Sequence, residues 1–125
     1  MNLSADPILI AGGGIGGLAA ALALAKDGHA VTVLEQASAF GETGAGIQLG
    51  PNVFRMFDIL GLTERINRVA FFPAGLALRD VCTGEAVVSL LLGDLARATY
   101  GFPYGVIYRP DLHEVFCGPV RRSRM

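Results

Sequence analysis

The chain has 125 residues, one domain's worth, of which 52% are hydrophobic, and a mean hydropathy of +0.49; this excludes a disordered chain and fits a buried parallel sheet. The formal net charge is −1, with Arg121, Arg122 and Arg124 crowded at the end, and no basic stretch is interleaved with aromatics, so nucleic acid is excluded as a partner. Cys82 and Cys117 stand far apart without metal-ligand spacing, so reduced thiols, a cytoplasmic location and no metal are expected.

The chain opens on an apolar run, Ile8-Leu9-Ile10, that meets the glycines of Gly12-Gly13-Gly14-Ile15-Gly16-Gly17. A signal peptide or membrane span is one reading of this uncharged segment. Asp6 and the lack of Lys or Arg before it argue against export, and the glycines make a poor apolar helix. The better reading is a strand buried on both faces, a glycine turn, and a helix over Leu18 to Ala25 ended by Gly28. The hexapeptide fits G-x-G-x-x-G at Gly12, Gly14 and Gly17: a tight turn, a bare backbone for a pyrophosphate, and close packing of helix on strand. Free N–H groups at the helix start, around Ile15 and Gly16, face the phosphate.

A second strand-like run, Ala30 to Glu35, ends in an acid about 20 residues past the glycines, where a carboxylate holds ribose hydroxyls. The alternative is a solvated acid at a strand end. A carboxylate there repels a 2′-phosphate, which favours the adenine half of FAD or NAD over NADP.

Phe40 to Gly50 reads as a second glycine-rich loop, after which Pro51 opens a helix over Asn52 to Leu60, stopped by Gly61. Thr63 is positioned to cap a short helix over Glu64 to Val69. Leu76 to Val81 and Ala86 to Leu91 bracket Cys82-Thr83-Gly84-Glu85 as a hairpin, the start of a second, antiparallel sheet. Gly105 to Arg109 reads as one more strand, and Pro110 to Phe116 starts a helix that a turn at Phe116-Cys117-Gly118-Pro119 is expected to break. His29 follows a helix-ending glycine and His113 lies beside Glu114, so both are expected to be solvated rather than catalytic.

Three blocks, ILIAGGGIGGLAAALALAKDGHAVTVLEQ, GETGAGIQLGPNVFRMFDILGL and YRPDLHEVF, together resemble the FAD-dependent aromatic-ring hydroxylases, and most the 3-hydroxybenzoate 6-hydroxylase and salicylate hydroxylase group. The fold class this implies is α/β: a Rossmann-like FAD-binding βαβ with the start of an antiparallel substrate-domain sheet, incomplete. The expected boundaries are 1–74 for the first part of the FAD domain, 75–104 for the substrate sheet, 105–117 for the return to the FAD domain, and 118–125 for an atypical tail.

By the same resemblance the cofactor-binding candidates are Gly12, Gly14, Ile15, Gly16, Gly17, Glu35, Gln36, Gly46, Ile47, Gln48 and Arg109. Gly44 to Gln48 would approach the ribityl chain and flavin ring, and Arg109 would grip FAD oxygens with its planar fork. Residue chemistry alone leaves Gln48 as a surface amide and Arg109 as a cation in a surface salt bridge. The resemblance further implies NADH or NADPH as co-substrate, O2 and a small phenolic acid as reactants, no membrane, and a homodimer among full-length relatives. The later Asp-Gly and Gly-Asp motifs of the family do not follow here, so no catalytic residue is assigned and an inactive truncated or frame-shifted piece is expected. The alternatives are a remnant that only binds adenine nucleotides, or an NAD-dependent Rossmann oxidoreductase.

Overall fold

The computed structural model describes residues 6–38 and 44–122, so the first part of the second glycine-rich segment and the last three residues of the tail lie outside the described residues. The chain divides into two compact units, Met1–Gly44 with Arg109–Met125, and Ala45–Tyr108.

In the first unit, β1 (Ile8–Ala11), α1 (Ile15–Lys26) and β2 (Val31–Leu34) form a parallel βαβ, in register from Ile8 opposite Val31 to Ala11 opposite Leu34. The ladder continues past the strand ends, with Gly12 N–H donating to the Leu34 carbonyl at 2.7 Å. Its last helix, α5 (Arg109–Arg122), packs on α1. Leu18 and Ala21 of α1 and Leu112, Val115, Phe116 and Cys117 of α5 are buried. That apolar face explains a departure from expectation: α5 runs through Pro119 rather than breaking there. Proline lacks one N–H and so forfeits one helical hydrogen bond, and the buried face a turn earlier holds the helix together.

The expectation that Ile8-Leu9-Ile10 is buried on both faces is also corrected, since Ile8 and Leu9 are exposed. Only β2 pairs with β1 among the described strands, and α1 is the helix that packs on the pair. A cleft of about 730 Å³ lies among α1, β2 and α5, lined by Leu18, Ala21, Val31, Val33 and Val120, with Cys117 at its wall. Burial raises the Cys117 thiol above its ordinary pKa, which keeps it a small apolar filler rather than a nucleophile.

In the second unit, β3 (Gly46–Leu49) pairs antiparallel with β6 (Gly105–Tyr108), and β4 (Gly75–Arg79) with β5 (Ala86–Leu91). Three helices complete it: α2 (Pro51–Leu60), α3 (Thr63–Val69) and α4 (Gly93–Tyr100). Pro51 stands in the first turn of α2 and Gly61 ends it in the left-handed region at φ 72°, as their residue types dictate. The core gathers Leu49, Phe54, Phe57, Leu62, Ile66 and Ile107, with the Phe54 and Phe57 rings edge to face at 5.6 Å.

Thr63 is not a cap; it is the first residue of α3, and its hydroxyl donates to the Asp58 carboxylate at 3.1 Å. β4 ends at Arg79, short of the expected Val81, because the Asp80 carboxylate accepts the N–H groups of Cys82 and Thr83, both at 2.8 Å. Those two bonds turn the backbone out of the ladder.

Candidate cofactor site

The glycine segment forms one tight turn between β1 and α1. Gly12 has φ 105°, a conformation L side chains rarely adopt. A Cβ on Gly17 would overlap the Gly12 carbonyl oxygen, so the third glycine of the motif sets how closely α1 rests on the turn. Gly14 and Gly16 are different. Among the described residues, a Cβ on either meets nothing within 4 Å, so bare backbone at the start of α1 faces open space. Gly14 is the N-cap of α1 and no side chain caps it, leaving N–H groups of the first turn directed outward.

Glu35 follows directly on β2 and is tied to this turn. Its carboxylate accepts the N–H of Gly13 at 2.7 Å and that of Ala37 at 2.8 Å. The Ala37 N–H first and the Gly13 N–H second hold its pKa below the ordinary carboxylate value, with the charge field of His113 a smaller contributor. The Gln36 N–H adds a lesser contribution, and since a carboxylate has about four lone-pair sites, capacity remains for a further donor. Glu35 also lines a hollow of about 790 Å³ with Ala11, Gly12, Val33, Leu34 and Gln36. The structure thus gathers the two outer glycines of the turn, Ile15, Gly16, Glu35 and Gln36 at one end of the βαβ.

His113 of α5 departs from its expected solvated state. It is half-buried, and its Nε2 lies 2.7 Å from the Gly13 carbonyl oxygen. No local pattern marks this contact, because Gly13 occupies a free position of the motif and His113 sits beside a charged residue. The signal available was periodicity: His113 lies among Leu112, Val115 and Phe116 on the inner part of α5. His29 is exposed as expected, 3.5 Å from the Asp27 carboxylate.

Arg109 is the first residue of α5 rather than the last of a strand. Its side-chain stem lies against Gly44, where a Cβ would come within 2.9 Å of the Arg109 Cβ. In the second unit, Gly46, Ile47 and Gln48 lie on strand β3, not on a loop, because the backbone pairs with Tyr108, Ile107 and Val106 of β6. The strand alternates as a pleat must, with Ile47 half-buried, Leu49 buried and Gln48 exposed. Among the described residues, no helix is long and apolar enough to cross a membrane.

A family described as "FAD binding domain" matches residues 6–102. The chain is 50% identical over 107 residues to 3-hydroxybenzoate 6-hydroxylase from Polaromonas naphthalenivorans (strain CJ2), covering 86% of this chain and 27% of that protein. It is 48% identical over 105 residues to 3-hydroxybenzoate 6-hydroxylase from Klebsiella oxytoca, covering 84% and 26%. Among solved structures, Klebsiella pneumoniae HpxO complexed with FAD and uric acid is similar, with TM-score 0.84 and 25% identity over 95% of this chain and 30% of that one. The chain therefore spans little more than a quarter of the length of the curated relatives it matches.

Proposed function

The chain belongs to the family of FAD-binding domains, and from that premise we propose that it is the cofactor-holding part of an FAD-dependent, NAD(P)H-using monooxygenase that hydroxylates a phenolic aromatic acid such as 3-hydroxybenzoate or salicylate. The observation that carries this reading is the open backbone at Gly14 and Gly16 beside the hollow lined by Gly12, Glu35 and Gln36. A pyrophosphate needs bare backbone and outward N–H groups, and a ribose needs a carboxylate within reach; those groups fit an ADP moiety.

In this reading the N–H groups around Gly14, Ile15 and Gly16 bind the pyrophosphate, and Gly12 and Gly17 fix the turn that presents them. Glu35 accepts ribose hydroxyls with its remaining lone pairs, and Gln36 borders the adenosine side. Arg109, at the start of α5, grips FAD oxygens with its planar guanidinium. The flavin, when bound, supplies the redox and oxygen chemistry, while the protein supplies orientation and water exclusion. Hydroxylation, the aromatic acid, the nicotinamide co-substrate and a cytoplasmic setting are proposed for the whole protein. No residue of this chain is given a catalytic role.

The test is titration of FAD into the chain, followed by quenching of flavin fluorescence, with ADP as competitor. Saturable binding displaced by ADP supports the reading. Saturation by NAD⁺ with none by FAD would favour an NAD-dependent oxidoreductase instead.

A further inference from the structure

We propose that His113 is a positioning residue for the dinucleotide loop: its Nε2–H holds the Gly13 carbonyl from α5 while Glu35 holds the Gly13 N–H from the end of β2. The inference deepens the reading above, since it concerns how the proposed phosphate site keeps its shape.

A carbonyl oxygen only accepts, so the contact at 2.7 Å places the imidazole hydrogen on Nε2. Gly13 is buried, and it stands one residue ahead of the N-cap Gly14. Its two peptide groups are therefore fixed by two side chains distant in sequence, one 22 residues later and the other 100. Gly12, Gly13 and Gly14 carry no side chains of their own to restrict the turn, and glycine samples more backbone conformations than any other residue. Two clamps on the central glycine remove that freedom before a ligand arrives. A loop already in its binding shape spends less of the interaction on ordering itself.

The occupied direction matters too. With the Gly13 carbonyl turned toward α5, the neighbouring N–H groups at Gly14 and beyond are left to face the open side, where a Cβ on Gly14 meets no atom. Releasing the carbonyl lets the peptide rotate and aim an oxygen at an arriving phosphate.

The experiment uses the full chain with His113→Leu, which removes the donor, and His113→Gln, whose amide N–H₂ ends the same number of bonds from Cα and restores it. Hydrogen exchange of the Gly13 amide reads the loop without any ligand. His113→Leu is expected to speed that exchange at least fivefold, the factor one lost hydrogen bond of ordinary strength gives, while amides in the β1–β2 ladder hold. His113→Gln should bring exchange back toward wild type. In parallel, the ADP dissociation constant should rise roughly fivefold in His113→Leu with adenosine affinity unchanged, because only ADP carries the pyrophosphate. Loop exchange unaltered in His113→Leu, or altered equally in both variants and throughout the ladder, overturns the proposal. If wild type binds no nucleotide, the functional reading fails, and the exchange data still decide the role of His113.

Discussion

Gly17 sits against Gly12 so closely that a Cβ on Gly17 would overlap the Gly12 carbonyl oxygen and come within 3.4 Å of Ile10 Cγ2. The obstacle is backbone, which cannot rotate aside as a side-chain end does. Gly17→Ala is therefore expected to destabilise the chain by about 3 kcal/mol, the upper part of the range for overpacking. Gly16→Ala, one residue earlier in the same helix, meets open space and should stabilise by up to about 1 kcal/mol. Urea unfolding of the two variants beside wild type measures both. Equal effects at the two positions would contradict the packing described.

Gly14→Val separates folding from binding. At φ −69° and ψ 178° the position is ordinary extended backbone, and among the described residues nothing lies within 4 Å of a Cβ placed there. The variant should keep its circular dichroism spectrum yet lose FAD, because the isopropyl group fills the approach proposed for the pyrophosphate. Flavin absorbance after gel filtration reads the outcome. A folded variant that still carries flavin refutes the assignment.

Glu35 makes a prediction about acid. Its folded pKa is lowered by the Ala37 and Gly13 N–H groups, so the unfolded state takes up the proton first as pH falls. The stability it contributes is complete above the unfolded carboxylate value of about 4.3 and is lost as pH drops through the lower folded value. Wild type should therefore exceed Glu35→Gln in stability at pH 7, with the gap narrowing below about pH 4.3. Denaturant midpoints of both proteins from pH 7 to pH 3 test this; a gap independent of pH would show that the charge is not what the two amides recognise. Glu35→Arg should also weaken ADP and favour a 2′-phosphorylated nucleotide relative to wild type.

The βαβ was legible because its determinants are local. Ile8 to Ile10, the glycine turn and the Ala/Leu run of α1 need only their own residue types to be placed, and the G-x-G-x-x-G spacing with Glu35 names the chemistry. What escaped depends on contacts far along the chain. β3 has no local strand signal, because Gly44 to Gly50 lacks β-branched residues apart from Ile47, and only pairing with β6 makes it a strand. α4 was missed since Gly93-Asp94 and Ala98-Thr99 give a weak helical signal, whereas Leu92 and Ala96 pack into the second unit. The role of His113 depends on a partner 100 residues away, which no local pattern encodes.

The β4–β5 hairpin carries the last prediction. Leu76 stands opposite Leu90 and Leu78 opposite Val88, and because side chains alternate along a strand these four share one face of the pair. Each is more than half exposed, so the face is a contiguous apolar patch on a two-stranded ribbon. Such patches drive association, and a bare strand edge adds unpaired N–H and C=O groups that template it. The chain should self-associate as its concentration rises, with the weight-average mass in sedimentation equilibrium climbing above the 13.1 kDa of one chain. Leu78→Lys with Leu90→Lys should hold the mass near that of one chain, since charged side chains on such a face oppose pairing. The pair should leave stability within about 0.5 kcal/mol per site, because neither leucine is part of the buried core. A wild type that stays monomeric over the whole concentration series would show that the patch is too small or too twisted to associate.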